Sequence, residues 1–181
     1  MNGKTPVKGS DGKDINLSEP GKHSDPNVKG YVGERLVRQD LENAGWKMVH
    51  GVGDDAESFT HYRGKQGIDA IYEKDGKYII VEVKTTGAID RPTVAEGCKG
   101  KLCMPKGGDQ MSDVWINSRL DAKDFPDAEK IKNAYGNKEV DRIIVEVDGK
   151  GRVQYGKIMD GIDENGNSLF NKAVYGGEWK P

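Results

Sequence analysis

The stretch that most constrains this chain is residues 67–84, GIDAIYEKDGKYIIVEVK, in which two runs of strand-forming residues flank an Asp-Gly pair. Such a pair is typical of a two-residue β-hairpin turn, because both of its positions need a positive φ. If Asp75 and Gly76 form the turn, the hairpin register places Asp69 directly opposite Glu82. Directly opposed residues have Cβ atoms only roughly 4.5–5.5 Å apart, so the sequence predicts two adjacent carboxylates.

The two faces of this predicted hairpin differ in chemistry. The apolar face, which we expect to lie on the core, carries Ile68, Ala70, Tyr72, Ile79, Val81 and Val83. The other face carries Asp69, Glu82 and Lys84 at the end away from the turn, because residues two apart on a strand share a face. Two opposed carboxylates repel each other unless something offsets their charge, and a divalent cation does so. A solvent-facing ladder of ion pairs would explain the same three residues.

The order of these motifs resembles that of a known enzyme family. Residues 67–69, Gly-Ile-Asp, followed on the next strand by residues 82–84, Glu-Val-Lys, resemble the core of the PD-(D/E)XK, or restriction-endonuclease-like, nuclease superfamily. The resemblance implies that Asp69, Glu82 and the backbone carbonyl of Val83 hold Mg²⁺, or another divalent cation such as Mn²⁺ or Zn²⁺. It therefore implies a metal-dependent phosphodiesterase.

Two further residues gain a role from the same resemblance. Residues 29–44 predict a helix that ends before Gly45, and at about 100° per residue Glu34 falls beside Leu41 at the border of the apolar stripe. Many members of the family carry a glutamate on their first helix that completes the acidic site, which implies such a role for Glu34. The family also implies that Lys84 orients or deprotonates the attacking water. An ordinary glutamate at the edge of a helix is the alternative for Glu34.

The remaining patterns predict the order of elements. Residues 1–28 are polar and rich in Gly and Pro, so we expect a linker or flexible N-terminal arm before a nuclease domain at 29–181. We expect a strand at 46–50, the hairpin, a helix at 109–120 that Asp109 caps, a short helix at 126–135, a strand at 140–147, a partner strand at 152–159, and surface turns with a loosely packed tail at 160–181. This order matches an α/β (α+β) fold with the α-β-β-β-α-β core of the family, a mixed central sheet and one added C-terminal hairpin strand.

Several polar residues are candidates for contact with a substrate. They are Gln66, Thr85, Lys99, Lys101, Gln110 and Arg119. Lys99 and Lys101 lie in a long loop with a small basic excess after the Glu-Val-Lys strand, which favours phosphate contact, although a solvated loop explains them equally well. Gln110 and Arg119 lie on the predicted helix after that loop.

Composition restricts the function less than these motifs do. The net charge is −2, with 28 Lys and Arg against 30 Asp and Glu, which argues against a dedicated nucleic-acid binder but not against a nuclease with local basic patches. Cys98 and Cys103 are too few for a disulfide framework and lack the spacing of a structural zinc site. The chain has no run of 18 apolar residues, so we expect no membrane-spanning segment.

The biological role is implied by a second resemblance. The run Gln-Met-Ser-x-x-Trp-Ile at 110–116 is similar to one in restriction-endonuclease-fold toxin domains of bacterial polymorphic toxin systems. It implies the C-terminal toxin domain of a contact-dependent growth inhibition or related system: a secreted or cell-surface-delivered DNase that acts in the target-cell cytoplasm and is neutralised by an immunity protein. A tRNA-cleaving toxin of the same fold, a restriction or repair endonuclease, and a catalytically silent nucleic-acid-binding module remain alternatives.

Overall fold

The centre of the fold is one mixed six-stranded sheet whose strands lie in sequence order. The computed structural model describes residues 7–9, 12–53, 59–60, 62, 67–89, 109–121 and 127–181. The strands are β1 (Lys47–His50), β2 (Ala70–Lys74), β3 (Lys77–Thr85), β4 (Val140–Val147), β5 (Val153–Ile162) and β6 (Ser168–Glu178). Strands β3 and β4 are parallel, and the other neighbouring pairs are antiparallel. The described part of the chain holds three α-helices: α1 (Pro26–Asn43), α2 (Asp113–Asp121) and α3 (Ala128–Gly136). The predicted mixture of helices and a mixed sheet is therefore confirmed.

The β2–β3 hairpin forms in the predicted register. Lys74 pairs with Lys77, and the ladder continues to the pair Ala70 and Val81. Asp75 and Gly76 have φ values of 53° and 79°, so both turn positions adopt the left-handed conformation that the Asp-Gly pair predicts. The strand pairing thus places Asp69, the residue before β2, beside Glu82.

Helix α1 covers one face of the hairpin and of β4. It begins at Pro26, three residues before the predicted start, because Asp25 caps it by accepting a hydrogen bond from the Asn27 N–H at 2.8 Å. This side of the sheet buries Val37, Leu41, Ala70, Tyr72, Ile79, Val81, Ile143, Val145 and Val147. The predicted core face of the hairpin is confirmed apart from Ile68, which packs on the opposite side.

The opposite face is also buried, which the sequence analysis did not expect. Helices α2 and α3 cover it, and its core includes Ile71, Tyr78, Ile80, Trp115, Ile116, Leu120 and Ile131. The end of β3 carries Glu82 and Lys84 on this side, and Glu146 of β4 lies beside Lys84. A sheet with helices on both faces reads as nearly continuous apolar runs, and Tyr78 to Val81 is such a run.

The predicted N-cap of α2 is wrong. The hydroxyl of Ser112 accepts a hydrogen bond from the Trp115 N–H at 3.3 Å, so Ser112 occupies the cap position and the helix begins at Asp113. Asp109 instead pairs with β6: its N–H donates to the Asn171 carbonyl at 2.9 Å. An aspartate before a helical pattern can cap the helix or pair with another strand. Here the pairing with β6, which is distant in the sequence, determines the role of Asp109.

Two terminal segments are better ordered than predicted. In the expected N-terminal arm, Val7 and Ile15 are buried with Tyr31 and Val32 of α1, so the described part of it is not loosely held. The expected loose tail at 160–181 contains β6, which pairs with β5 along most of its length. The tail was misjudged because β6 is an edge strand whose mostly exposed side chains give no clear alternation.

Candidate active site

The candidate site lies at the C-terminal end of β3, beside the residue that precedes β2. Asp69 precedes β2, and its Oδ2 accepts a hydrogen bond from the Val83 N–H at 2.8 Å. The Asp69 carboxylate therefore replaces a backbone hydrogen bond between the two strands. The N–H and C=O of one strand residue point to the same side, so the Val83 carbonyl faces the Asp69 side as well.

Glu82 is the most deeply buried charged residue of the site, at 2% exposure. Its Oε1 accepts hydrogen bonds from Lys84 Nζ at 2.7 Å and from Gln110 Nε2 at 2.5 Å. Its Oε2 is buried and has no hydrogen-bond partner among the described residues. Burial, followed by the negative charge of Asp69, raises the pKa of Glu82 to about 8.

The two acids form one coupled unit. Burial also raises the pKa of Asp69, although the Val83 N–H and the charge of Lys84 oppose the effect. Two ionised carboxylates can only accept hydrogen bonds, so the pair is satisfied either by a proton held between them or by a cation. One lysine does not neutralise the two acids.

Lys84 and Gln110 complete a compact triangle with Glu82. Lys84 Nζ donates to Glu82 Oε1 and to Gln110 Oε1, both at 2.7 Å. The sequence suggested Gln110 as a substrate contact, whereas in the structure it contacts the Glu-x-Lys pair directly. The residue after it is also fixed, because the Met111 carbonyl accepts a hydrogen bond from Arg142 at 3.1 Å.

Glu34 reaches the site through a residue that the sequence analysis missed. Glu34 is 7% exposed, and its carboxylate accepts a hydrogen bond from the hydroxyl of Tyr62. Burial and the charges of Glu34 and Asp69 raise the pKa of Tyr62 far above its usual range. The only sequence signal was indirect: the helix carries glycines at 30 and 33, which are unfavourable in a helix interior and indicate a close approach.

Another side chain approaches α1 closely at both Gly30 and Gly33. A Cβ at Gly30 would overlap the Tyr62 hydroxyl, and one at Gly33 would overlap the side chain of Thr85. The Thr85 hydroxyl is buried against α1 and makes no hydrogen bond within the described residues, so it does not lie where a substrate would contact it.

The other predicted contacts are not brought to this triangle. Arg119 lies over the ring of Trp115, with 5.4 Å between the guanidinium carbon and the ring centroid. Gln66, Lys99 and Lys101 lie outside the described residues, as do Cys98 and Cys103. Glu146 was not among the predicted site residues, although it is 2% exposed and lies beside Lys84 in the register of β3 and β4. Its strand was predicted, but the register that places it beside Lys84 was not.

The donor set suits a small, hard cation. The described residues contain no group of three or more His, Cys, Asp or Glu side chains placed to hold a metal ion, and a metal contact of Glu34 stays a prediction. Mg²⁺ commonly uses one or two carboxylates and keeps several waters, and two acids with one carbonyl meet that pattern. The buried Oε2 of Glu82 has no donor among the described residues unless Asp69 shares a proton with it, and a cation would account for it equally well.

Comparison of the sequence with protein-family models gives no match, and comparison with curated proteins gives none either. Among the described residues, none of the helices combines the length and the apolar character needed to cross a membrane.

Proposed function

We propose that this chain is a metal-dependent nuclease of the PD-(D/E)XK type that hydrolyses phosphodiester bonds in nucleic acid. One observation carries the proposal: the half-buried Asp69 and the buried Glu82 meet at the end of β3 beside Lys84, and one Glu82 oxygen has no donor among the described residues. A carboxylate pair with a buried member and one neighbouring lysine is costly for folding alone, and its cost is offset once a divalent cation binds.

The order of elements supports the restriction-endonuclease-like topology. Helix α1, the antiparallel strands β1 to β3, the helices α2 and α3 and the parallel strand β4 follow the α-β-β-β-α-β order, and β5 and β6 extend one edge. The parallel pairing of β3 with β4 puts the acidic end of β3 at the carboxyl end of both strands. Ligand sites in open α/β sheets commonly lie outside such ends.

The proposed chemistry assigns a task to each residue. Asp69, Glu82 and the Val83 carbonyl would hold the cation, which supplies a polarised water and offsets charge on the scissile phosphate. Lys84 has three donors, two of which bind Glu82 and Gln110 within the described residues, and the third is left to orient the attacking water. Gln110 keeps the ammonium group of Lys84 in place.

The test is incubation of purified protein with plasmid DNA and with total tRNA, each with Mg²⁺ and with EDTA. We expect cleavage of DNA in Mg²⁺, none in EDTA, and a loss of at least about 100-fold in Asp69→Asn, because that change removes a cation ligand without changing the shape of the side chain. Cleavage of tRNA alone would make this an RNase of the same chemistry. Binding of nucleic acid without cleavage of either substrate would identify a catalytically silent module and reject the proposal.

The proposed biological role is that of a toxin domain in competition between bacteria. It is delivered from the producing cell, cuts nucleic acid in the target-cell cytoplasm, and is neutralised in the producer by an immunity protein. The similarity of residues 110–116 to toxin domains supports this role. Induced expression in bacterial cytoplasm is expected to stop growth for the wild type and not for Lys84→Ala. Equal growth of both strains, with nuclease activity present in vitro, would favour a restriction or repair enzyme instead.

A further inference from the structure

The side chain of Tyr62 packs against helix α1 at Gly30, where the absence of a Cβ leaves room for it. Its hydroxyl occupies the space that a Cβ of Gly30 would fill, and its ring packs edge-on against Tyr31 with 5.9 Å between centroids. These two contacts fix the ring and the direction of the hydroxyl. The position is therefore set by α1 itself.

The same helix face carries Glu34. Gly30 and Glu34 are four residues apart, so they lie one turn apart on one face, and helical side chains lean toward the N-terminus of their helix. Glu34 therefore leans toward the space over Gly30, where the Tyr62 hydroxyl donates its hydrogen bond. The hydroxyl also lies close enough to Asp69 and Glu82 for their charges to act on it. Tyr62 is thus within electrostatic reach of all three acids.

We propose that Tyr62 is a positioning residue for the divalent cation: its hydroxyl holds the Glu34 carboxylate in a fixed orientation near Asp69 and Glu82. This inference rests on the proposed function, because it assigns the cation to those two acids. Groups that hydrogen-bond to the carboxylates of a metal site commonly affect metal affinity or activity by 10–100-fold, because they fix the orientation of the carboxylate.

The first experiment is calorimetric titration of metal-free protein with Mn²⁺, comparing wild type, Tyr62→Phe and Tyr31→Phe. We expect Tyr62→Phe to bind Mn²⁺ about 10–100-fold more weakly, with an unchanged melting temperature in EDTA. Tyr31→Phe is the matched control: it removes a hydroxyl from the same aromatic cluster, but that hydroxyl donates to the Gly53 carbonyl at 3.3 Å. Its Mn²⁺ affinity is expected to equal that of the wild type.

A second pair of variants moves the Tyr62 hydroxyl without removing it. In Gly30→Ala the new methyl group claims the position of the hydroxyl, while the helix propensity of α1 improves. We expect the same loss of Mn²⁺ affinity as in Tyr62→Phe, and no further loss in the double variant, because both changes break one interaction. Gly136→Ala in α3 has open space around its Cβ and is the control.

The outcomes separate this inference from the proposed function. Wild type that neither binds Mn²⁺ nor cuts nucleic acid overturns the nuclease assignment before any variant is measured. Wild type that binds Mn²⁺, with Tyr62→Phe equal to it, overturns the role of Tyr62 alone. For a positioning role, raising Mg²⁺ restores the kcat of Tyr62→Phe. A lowered kcat at saturating Mg²⁺, with unchanged metal affinity, would mean that Tyr62 contacts substrate and would overturn the positioning role.

Discussion

The two hairpins of this protein, β2–β3 and β5–β6, each turn through a loop that contains a glycine. Their side chains differ in burial. The central hairpin turns at Asp75-Gly76 and the edge hairpin through a loop that contains Asn165-Gly166. At the centre of the sheet Glu82 is 2% exposed, whereas at the edge Ile162 is 70% exposed. Position in the sheet, rather than polarity, decides which of these side chains is buried.

This difference separates side chains whose positions stabilise the fold from side chains whose burial costs stability. A buried acid lowers stability unless a ligand or proton offsets its charge, so folding alone does not explain Glu82 beside Asp69, and the proposed cation site would account for both. The exposed apolar side chains of the edge hairpin, which include Met159, Ile162, Phe170 and Val174, make few core contacts. The following predictions test whether the central hairpin is specialised for a cation and the edge hairpin is neutral for the reaction.

The largest effect is expected for Glu82→Gln, which keeps the shape of the side chain and removes its charge. Cleavage should fall by at least about 100-fold, because a cation ligand is lost. The matched control is Glu178→Gln at the end of β6, which should cleave at the wild-type rate. Initial rates on plasmid DNA at saturating Mg²⁺ measure the difference. Similar rates for the two variants would remove Glu82 from the site.

The same variant should change the dependence of stability on pH when metal is absent. The folded pKa of Glu82 is raised from 4.5 to about 8, so the folded protein retains a proton that the unfolded chain releases. This contribution to stability is therefore fully present below about pH 4.5 and is lost as pH rises through about 8. Thermal melts in EDTA should show a falling melting temperature for wild type between pH 5 and 8, and a shallower slope for Glu82→Gln. Parallel slopes would contradict the raised pKa.

A smaller effect is expected where the two hairpins are linked. Asp109 binds β6 through the Asn171 carbonyl, and Gln110, the next residue, contacts both Lys84 and Glu82. Gln110→Ala should reduce kcat about tenfold, because Lys84 loses its second acceptor and is held less firmly. Asp109→Ala should act in the same direction and more weakly, since its backbone bond to β6 remains.

The control for this link is Asn117→Ala on α2, whose amide bonds only Asp113 in the described structure. It changes the same helix without touching the triangle of Gln110, Lys84 and Glu82. Equal kcat values for Gln110→Ala and wild type would show that the contacts of Gln110 do not serve catalysis.

Local signals in the sequence were sufficient for much of the fold and for part of the site. The Asp-Gly turn predicts the hairpin register, and that register places Asp69 beside Glu82, as the structure confirms. The Asn165-Gly166 pair does not form such a two-residue turn, because Ile162 pairs with Ser168 across a five-residue loop, and the exposed side chains of β6 give no clear pattern. Contacts that join distant parts of the chain gave no local pattern: Gln110 meets Glu82 across 28 residues, and Tyr62 meets α1 through glycines whose partner the sequence does not name.

The smallest effect is expected at the edge hairpin, where a matched pair of substitutions compares the two regions directly. Ile162→Ala removes a side chain that is 70% exposed, and Ile80→Ala removes the same atoms from a position of 0% exposure on β3. Ile162→Ala should change the free energy of unfolding by less than about 0.5 kcal/mol and leave cleavage unchanged, whereas Ile80→Ala should cost about 2–5 kcal/mol because it leaves a cavity. Urea denaturation of both variants in EDTA measures the two values. A cost above about 1 kcal/mol for Ile162→Ala would mean that the edge hairpin stabilises the fold after all, since exposed side chains rarely contribute that much.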